Sequence, residues 1–191
     1  MRTLQISLTA AAMICALIVT VFIGGKDPGN AVTSSSTADA NTINPTWHEA
    51  RWPFLMDQWG LGRAFRCEAK HCGTEINVYV RAKIGFCNCT TGVADDEEID
   101  RIGDVELIGA DYASESTGAP VTVADMKGRA RLYRMASGNK GRVLAVAFSR
   151  KCDVMVATAV TRTGMTPPEG LVLQFLNGDT ISGWAIRDLG A

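Results

Sequence analysis

The chain has 191 residues and a formal net charge of −1, with 47% apolar and 20% charged side chains. That composition excludes a disordered chain, and the charge balance removes the bulk electrostatic case for nucleic acid. Setting aside an N-terminal targeting segment and a linker leaves about 145 residues, the size of one domain that buries its own core.

From Ile6 to Ile23 no side chain is charged, and Arg2 precedes the run. These 18 residues, as a helix rising about 1.5 Å per residue, span roughly the hydrocarbon thickness of a bilayer. Residues 1–25 therefore read as an N-terminal membrane anchor or signal peptide. Positive charge at the start keeps the N-terminus inside and sends the rest out. The run exceeds the usual apolar core of a cleaved signal, about 7–15 residues, which favours a retained anchor. Gly29-Asn30-Ala31 offers the competing cleavage site. Residues 26–46 are rich in Ser, Thr, Asn, Ala and Gly and read as a flexible linker, too polar to offset the entropy of ordering. The expected location is a bacterial inner membrane with the domain facing the periplasm, or the periplasm itself after cleavage near Ala31.

Residues 47–191 read as the single exported globular domain. The segment TWHEARWPFLMDQWGLG opens it, and Pro53 and Gly60 suit the start and end of a short helix. Trp47, Trp52 and Trp59 are expected to pack, with a membrane-surface aromatic belt as the sharper alternative. Ala64–Cys67 reads as a short strand partnering the next segment. Over residues 75–86, Ile76, Val78, Val80, Ala82, Ile84 and Phe86 alternate with Glu75, Asn77, Tyr79, Arg81, Lys83 and Gly85. This predicts a strand with one apolar and one solvated face. A helix is expected over about 93–102, its acidic first turn favoured by the helix dipole.

Residues 129–160 read as a three-stranded antiparallel meander. Its second and third strands are apolar on both faces and so should be central. Thr166-Pro167-Pro168-Glu169 reads as a capped helix start, with Leu171, Val172, Phe175 and Leu176 as its apolar stripe and Gly178 as its end. The tail from Asp179 fits a strand or a short helix equally. The expected fold is α+β, an antiparallel sheet covered by short helices.

Beyond Cys15 there are five cysteines: Cys67, Cys72, Cys87, Cys89 and Cys152. An oxidising compartment makes disulfides the expectation. Cys67 and Cys72 flank a connection between adjacent strands and make the preferred pair, and one of Cys87 or Cys89 could reach Cys152. The alternative gives Cys87-Asn88-Cys89 a functional role in thiol redox chemistry. A soft-metal site drawn from His71, Cys72, Cys87 and Cys89 is the other version of that alternative. A lone C-x-C is a weak signal for either.

No nucleophile elbow or P-loop is present, and His48-Glu49 lacks the second histidine of a zinc helix because Trp52 stands there. Nothing in the pattern calls for a cofactor. Nine acidic residues and one basic lie between Asp95 and Glu115; eight basic and none acidic lie between Lys127 and Lys151. Arg129, Arg131 and Tyr133 should share one strand face. That basic face could bind an anionic surface or an envelope protein, or the two charged blocks could neutralise each other within the fold. The function expected from these features is an exported, membrane-anchored binding or accessory domain, with no enzymatic constellation in evidence.

Overall fold

The computed structural model describes residues 44–136 and 141–190. The N-terminal segment, the possible cleavage site and most of the linker lie outside the described residues, as do three of the four residues expected to turn between the first two meander strands. No helix among the described residues is long and apolar enough to cross a membrane. Ala40–Ala191 forms a compact unit, and both of its apolar cores are drawn from its own side chains.

The described strands form one antiparallel sheet of eight. They are β1 Trp47–Ala50, β2 Arg63–Cys67, β3 Ile76–Lys83, β4 Tyr112–Ser114, β5 Ala119–Val123, β6 Met126–Met135, β7 Arg142–Arg150 and β8 Asp153–Thr161. The spatial order is β1-β2-β3-β8-β7-β6-β4, with β5 also paired to β6. The meander is β6-β7-β8, and β7 and β8 are central as their continuous apolar runs require. Sequence-adjacent β3 and β4 are far apart because β8 takes the place beside β3.

Side-chain alternation sorts two cores. Leu144, Val146 and Phe148 of β7, with Met155, Ala157 and Ala159 of β8, face one layer. That layer holds α3 (Glu169–Leu176) and α4 (Asp179–Asp188). Val143, Ala145 and Ala147, with Val154 and Val156, face the other. There lie α2 (Asp96–Ile102) and the 3-10 turn Val105–Leu107. Ile99 and Ile102 of α2 are fully buried, each worth about 1.5–3 kcal/mol of apolar transfer. The α2 start follows its sequence: the Asp95 side chain accepts from the Glu98 N–H at 2.8 Å, as an N-cap should.

Three expectations are corrected. Residues 53–60 form no helix; β1 precedes them, and the segment is a loop closed by a turn at Asp57–Gly60. The Asp57 carboxylate takes the Trp59 N–H at 2.8 Å, and Gly60 sits at φ 76°, both turn devices. The apolar residues that suggested a helix are claimed separately: Phe54 packs on Tyr79 and Trp59 on Phe86. Thr166 does not cap α3, whose N-cap is Pro168 with no side-chain bond; the Thr161 hydroxyl instead donates to the Met165 carbonyl. Finally, the second face of β3 is not solvated along its length, since Arg81 and Lys83 are buried.

Candidate functional site

The buried end of β3 organises the loop 51–62. The Arg81 guanidinium donates two bonds to Asp104, at 2.6 and 2.7 Å, and two to Asp57, at 2.8 and 2.7 Å. Lys83 Nζ donates to the Ile102 carbonyl at 2.8 Å and pairs with Asp104 at 2.7 Å. Arg81 is 2% exposed, Lys83 3% and Asp104 2%. Buried charges are tolerated when they are paired and their remaining donors are satisfied, and this set of two cations and two carboxylates balances. Burial opposes the charged Arg81 guanidinium, but its bonds to Asp104 and Asp57 outweigh that and hold it more firmly protonated than usual. Burial likewise raises the Asp57 carboxyl, and the Arg81 and Trp59 hydrogen bonds reverse this, leaving it below the ordinary carboxylate value.

Aromatic contacts complete the anchorage. Trp52, Phe54 and Tyr79 pack edge to face, with Phe54 and Tyr79 centroids 4.8 Å apart. A side chain at Gly62 would collide with the Trp52 ring and the Val80 carbonyl, so the chain approaches the sheet only as glycine. The loop is thus tied down along its length, yet Leu55 is 91% exposed, Met56 73% and Leu61 62%. Ile84, just past β3, is also exposed. Apolar residues on a loop held this firmly form a standing surface.

The cysteines divide into two bonds and a thiol. Cys67–Cys72 closes α1 (Ala69–Cys72), the helical turn between β2 and β3, and Cys89 joins Cys152. Cys87 is the free cysteine among the described residues and is buried. Its N–H donates to the Cys152 carbonyl at 3.1 Å. Burial pushes its thiol up, against a lowering bond with Ser149. The suggested metal set is not brought together: Cys72 and Cys89 belong to different disulfides. The described residues hold no group of three or more metal-ligating side chains.

The strand expected to expose Arg129, Arg131 and Tyr133 does not expose them. Helix α2 lies across it and supplies the acids. Arg129 pairs with Asp96 at 2.5 Å, Arg131 with Asp100 at 2.7 Å, and the Tyr133 hydroxyl donates to Asp100 at 2.6 Å. Burial, then the Asp100 bond, drive the Tyr133 phenol far above its usual value. Beyond α2, Glu115 takes Arg142 at 2.6 Å and Arg134 at 2.7 Å, which hold its carboxyl at about 2. Here the acidic and basic blocks neutralise each other.

Sequence reasoning missed the Arg81–Lys83–Asp104 cluster and the exposed loop it holds. The available signal was three apolar residues, Leu55, Met56 and Leu61, around an aspartate in a Pro- and Gly-punctuated segment, which fits a turn as well as a helix. No protein-family model matches the chain, and searches of curated proteins and of solved structures returned no match.

Proposed function

We propose that this chain is an exported domain, tethered to the outer face of a bacterial inner membrane, that works by binding through the loop 51–62. The observation that carries the binding role is the exposure of Leu55, Met56 and Leu61 on a loop fastened by buried Arg81. Monomeric surfaces scatter single exposed apolar residues; three of them on one pre-ordered loop favour contact with a partner. Export is supported by the uncharged run Ile6–Ile23 and by two disulfides in the domain that follows.

The test is fractionation. Ala40–Ala191, exported behind a cleavable signal, is expected to stay with the envelope without its anchor. The double variant Leu55→Ser, Met56→Ser is expected in the soluble fraction at unchanged melting temperature. Equal partitioning of the two proteins would sink the binding role, and failure of the intact chain to leave the cytoplasm would sink export.

A second reading rests on Cys87, whose N–H bonds the Cys152 carbonyl and whose Sγ lies 3.4 Å from the carbonyl of Lys151, the residue before the bridged Cys152. Attack of the Cys87 thiolate on Cys152 Sγ would form Cys87–Cys152 and release Cys89 as thiolate, with no net oxidation. Peptide mapping of the bridge after incubation at alkaline pH tests it; a bridge that stays wholly Cys89–Cys152 refutes it.

A further inference from the structure

The basic block between Lys127 and Lys151 is only partly neutralised. Arg129, Arg131, Arg134 and Arg142 are taken by Asp96, Asp100 and Glu115, and Lys140 lies outside the described residues. Lys127, Arg150 and Lys151 make no ion pair among the described residues, and these three gather in one place. Gly128 pairs with Phe148 and Arg150 with Asp153, so the start of β6 meets the β7–β8 turn. A depression of about 410 Å³ is lined there by Lys127, Arg150 and Lys151, together with Asp125, Thr90 and Thr91. That volume falls in the range of small-molecule sites, about 300–1,000 Å³. None of the lining residues belongs to loop 51–62, so the inference goes beyond the binding role proposed for that loop.

The walls of the depression are fixed. The Cys89–Cys152 bond ties the segment before Thr90 to the β7–β8 turn. The Asn88 side chain accepts the Thr90 and Thr91 N–H groups at 2.9 and 3.2 Å, and Ser149 Oγ accepts the Val93 N–H at 3.2 Å. Two-residue turns carry two of the charges. Val123 pairs with Met126 around Ala124 and Asp125, and Arg150 with Asp153 around Lys151 and Cys152. Among the described residues, the non-glycine residues with positive φ are Ala124, Asp125 and Lys151, at 48°, 64° and 56°. Such torsions are costly for a side chain with a Cβ, and glycine or asparagine supplies them more cheaply. Asp125 and Lys151 instead occupy them with charges that line the depression. Backbone strain of this kind clusters at ligand sites.

We propose that this depression binds a phosphorylated sugar, its phosphate monoester held by Lys127, Arg150 and Lys151 and its hydroxyls by Asp125, Thr90 and Thr91. Three cations against one carboxylate leave an excess of two positive charges, which a phosphate monoester of about −1.5 to −2 at neutral pH balances. Arginine meets phosphate as a fork and lysine as a point charge. A carboxylate among the cations repels a bare polyanion, but it accepts hydrogen bonds from sugar hydroxyls, and threonine hydroxyls both donate and accept. A merely solvated surface gives no reason for charged residues to stand where glycine costs less. The same chemistry is offered by a soluble sugar phosphate and by a phosphorylated sugar headgroup on a lipid.

The experiment titrates the compact unit Ala40–Ala191 with glucose 6-phosphate, glucose and inorganic phosphate, reading affinity by calorimetry and location by amide NMR shifts. Glucose 6-phosphate is expected to bind at least tenfold more tightly than inorganic phosphate, and glucose not at all, with shifts centred on Thr90, Thr91, Lys127 and Lys151. Raising salt from about 0.1 to 1 M should weaken binding at least tenfold, as the screening length shrinks from about 10 to 3 Å. Lys127→Glu with Arg150→Glu should also weaken it at least tenfold. Lys151→Gly, which supplies the left-handed torsion without the charge, should weaken it at least threefold at an undiminished melting temperature. Vesicles of phosphatidylcholine with phosphatidylinositol 4-phosphate separate the two sources: tighter binding to them than to glucose 6-phosphate assigns a lipid headgroup, and weaker binding a soluble ligand. The proposal is overturned if neither phosphorylated sugar binds, if inorganic phosphate binds as tightly as both, or if the charge-reversed and Lys151→Gly proteins keep wild-type affinity.

Discussion

Replacing Asp104 by Asn is the sharpest test of how the loop is held. In the folded protein Asp104 faces both Arg81 and Lys83, and all three are almost wholly buried. The substitution leaves two buried cations with one remaining partner, Asp57, whose side chain is 40% exposed. Removing one member of a buried pair costs about 3–5 kcal/mol, because the surviving charge keeps its desolvation penalty. At about 3 °C per kcal/mol for a domain of this size, the melting temperature should fall by about 9–15 °C. Asp57→Asn should cost about 1 kcal/mol or less, since that carboxylate is partly solvated and Arg81 keeps both bonds to Asp104. The triple replacement Arg81→Met, Lys83→Met, Asp104→Leu should restore stability to near wild type, as buried ion clusters often exchange for packed apolar groups without loss. It should nonetheless free the loop, which loses its Asp57 anchor. Thermal melts give the stabilities, and limited proteolysis within 53–61 gives the loop. The reasoning fails if Asp104→Asn costs under about 1 kcal/mol or no more than Asp57→Asn.

Acid should separate Glu115 from its glutamine variant in a defined window. Its folded value is depressed, from 4.5 to about 2, so its contribution is complete above 4.5 and lost as pH falls toward 2. Wild type should melt above Glu115→Gln at neutral pH and converge with it near pH 2; a constant gap would refute the assignment. The two disulfides should differ in worth. Cys89–Cys152 spans 63 residues and Cys67–Cys72 spans 5, so loop-closure entropy assigns them about 4 and 2 kcal/mol, measurable by denaturant unfolding of the paired serine variants. Gly62→Ala should displace Trp52 and raise cleavage in the loop while the far end of the sheet keeps its amide protection. Unchanged Trp52 fluorescence would count against that contact.

Much of the sheet was legible because alternation is a local signal. Ile76, Val78 and Val80 announce one face of β3, and the unbroken apolar runs of β7 and β8 announce strands covered on both sides. The Cys67–Cys72 bond follows from two strand ends joined by a short connection. The candidate site was far less legible. Alternation placed Arg81 and Lys83 on the face opposite Ile76 and Val80 correctly, but could not show that the segment after α2 covers that face. Proline and glycine in 53–60 punctuate a turn as readily as a helix, and the choice was made by Tyr79 and Phe86, which take Phe54 and Trp59 to separate places on the sheet. The complementary blocks around Asp96 and Arg129 were visible as charges, yet their partners lie 33 residues apart.

By itself, then, the sequence determined the long strands β3, β6, β7 and β8, the helices α2 and α3, which strands are central and where an apolar segment precedes the domain. These depend on side-chain periodicity and on capping and turn chemistry acting over a few residues. Only the tertiary structure decided which cysteine meets Cys152, which cations α2 neutralises and which apolar residues of the loop 51–62 stay exposed. Those outcomes depend on what the folded chain lays over each face, and a charge or thiol acquires its role from the neighbour that covers it.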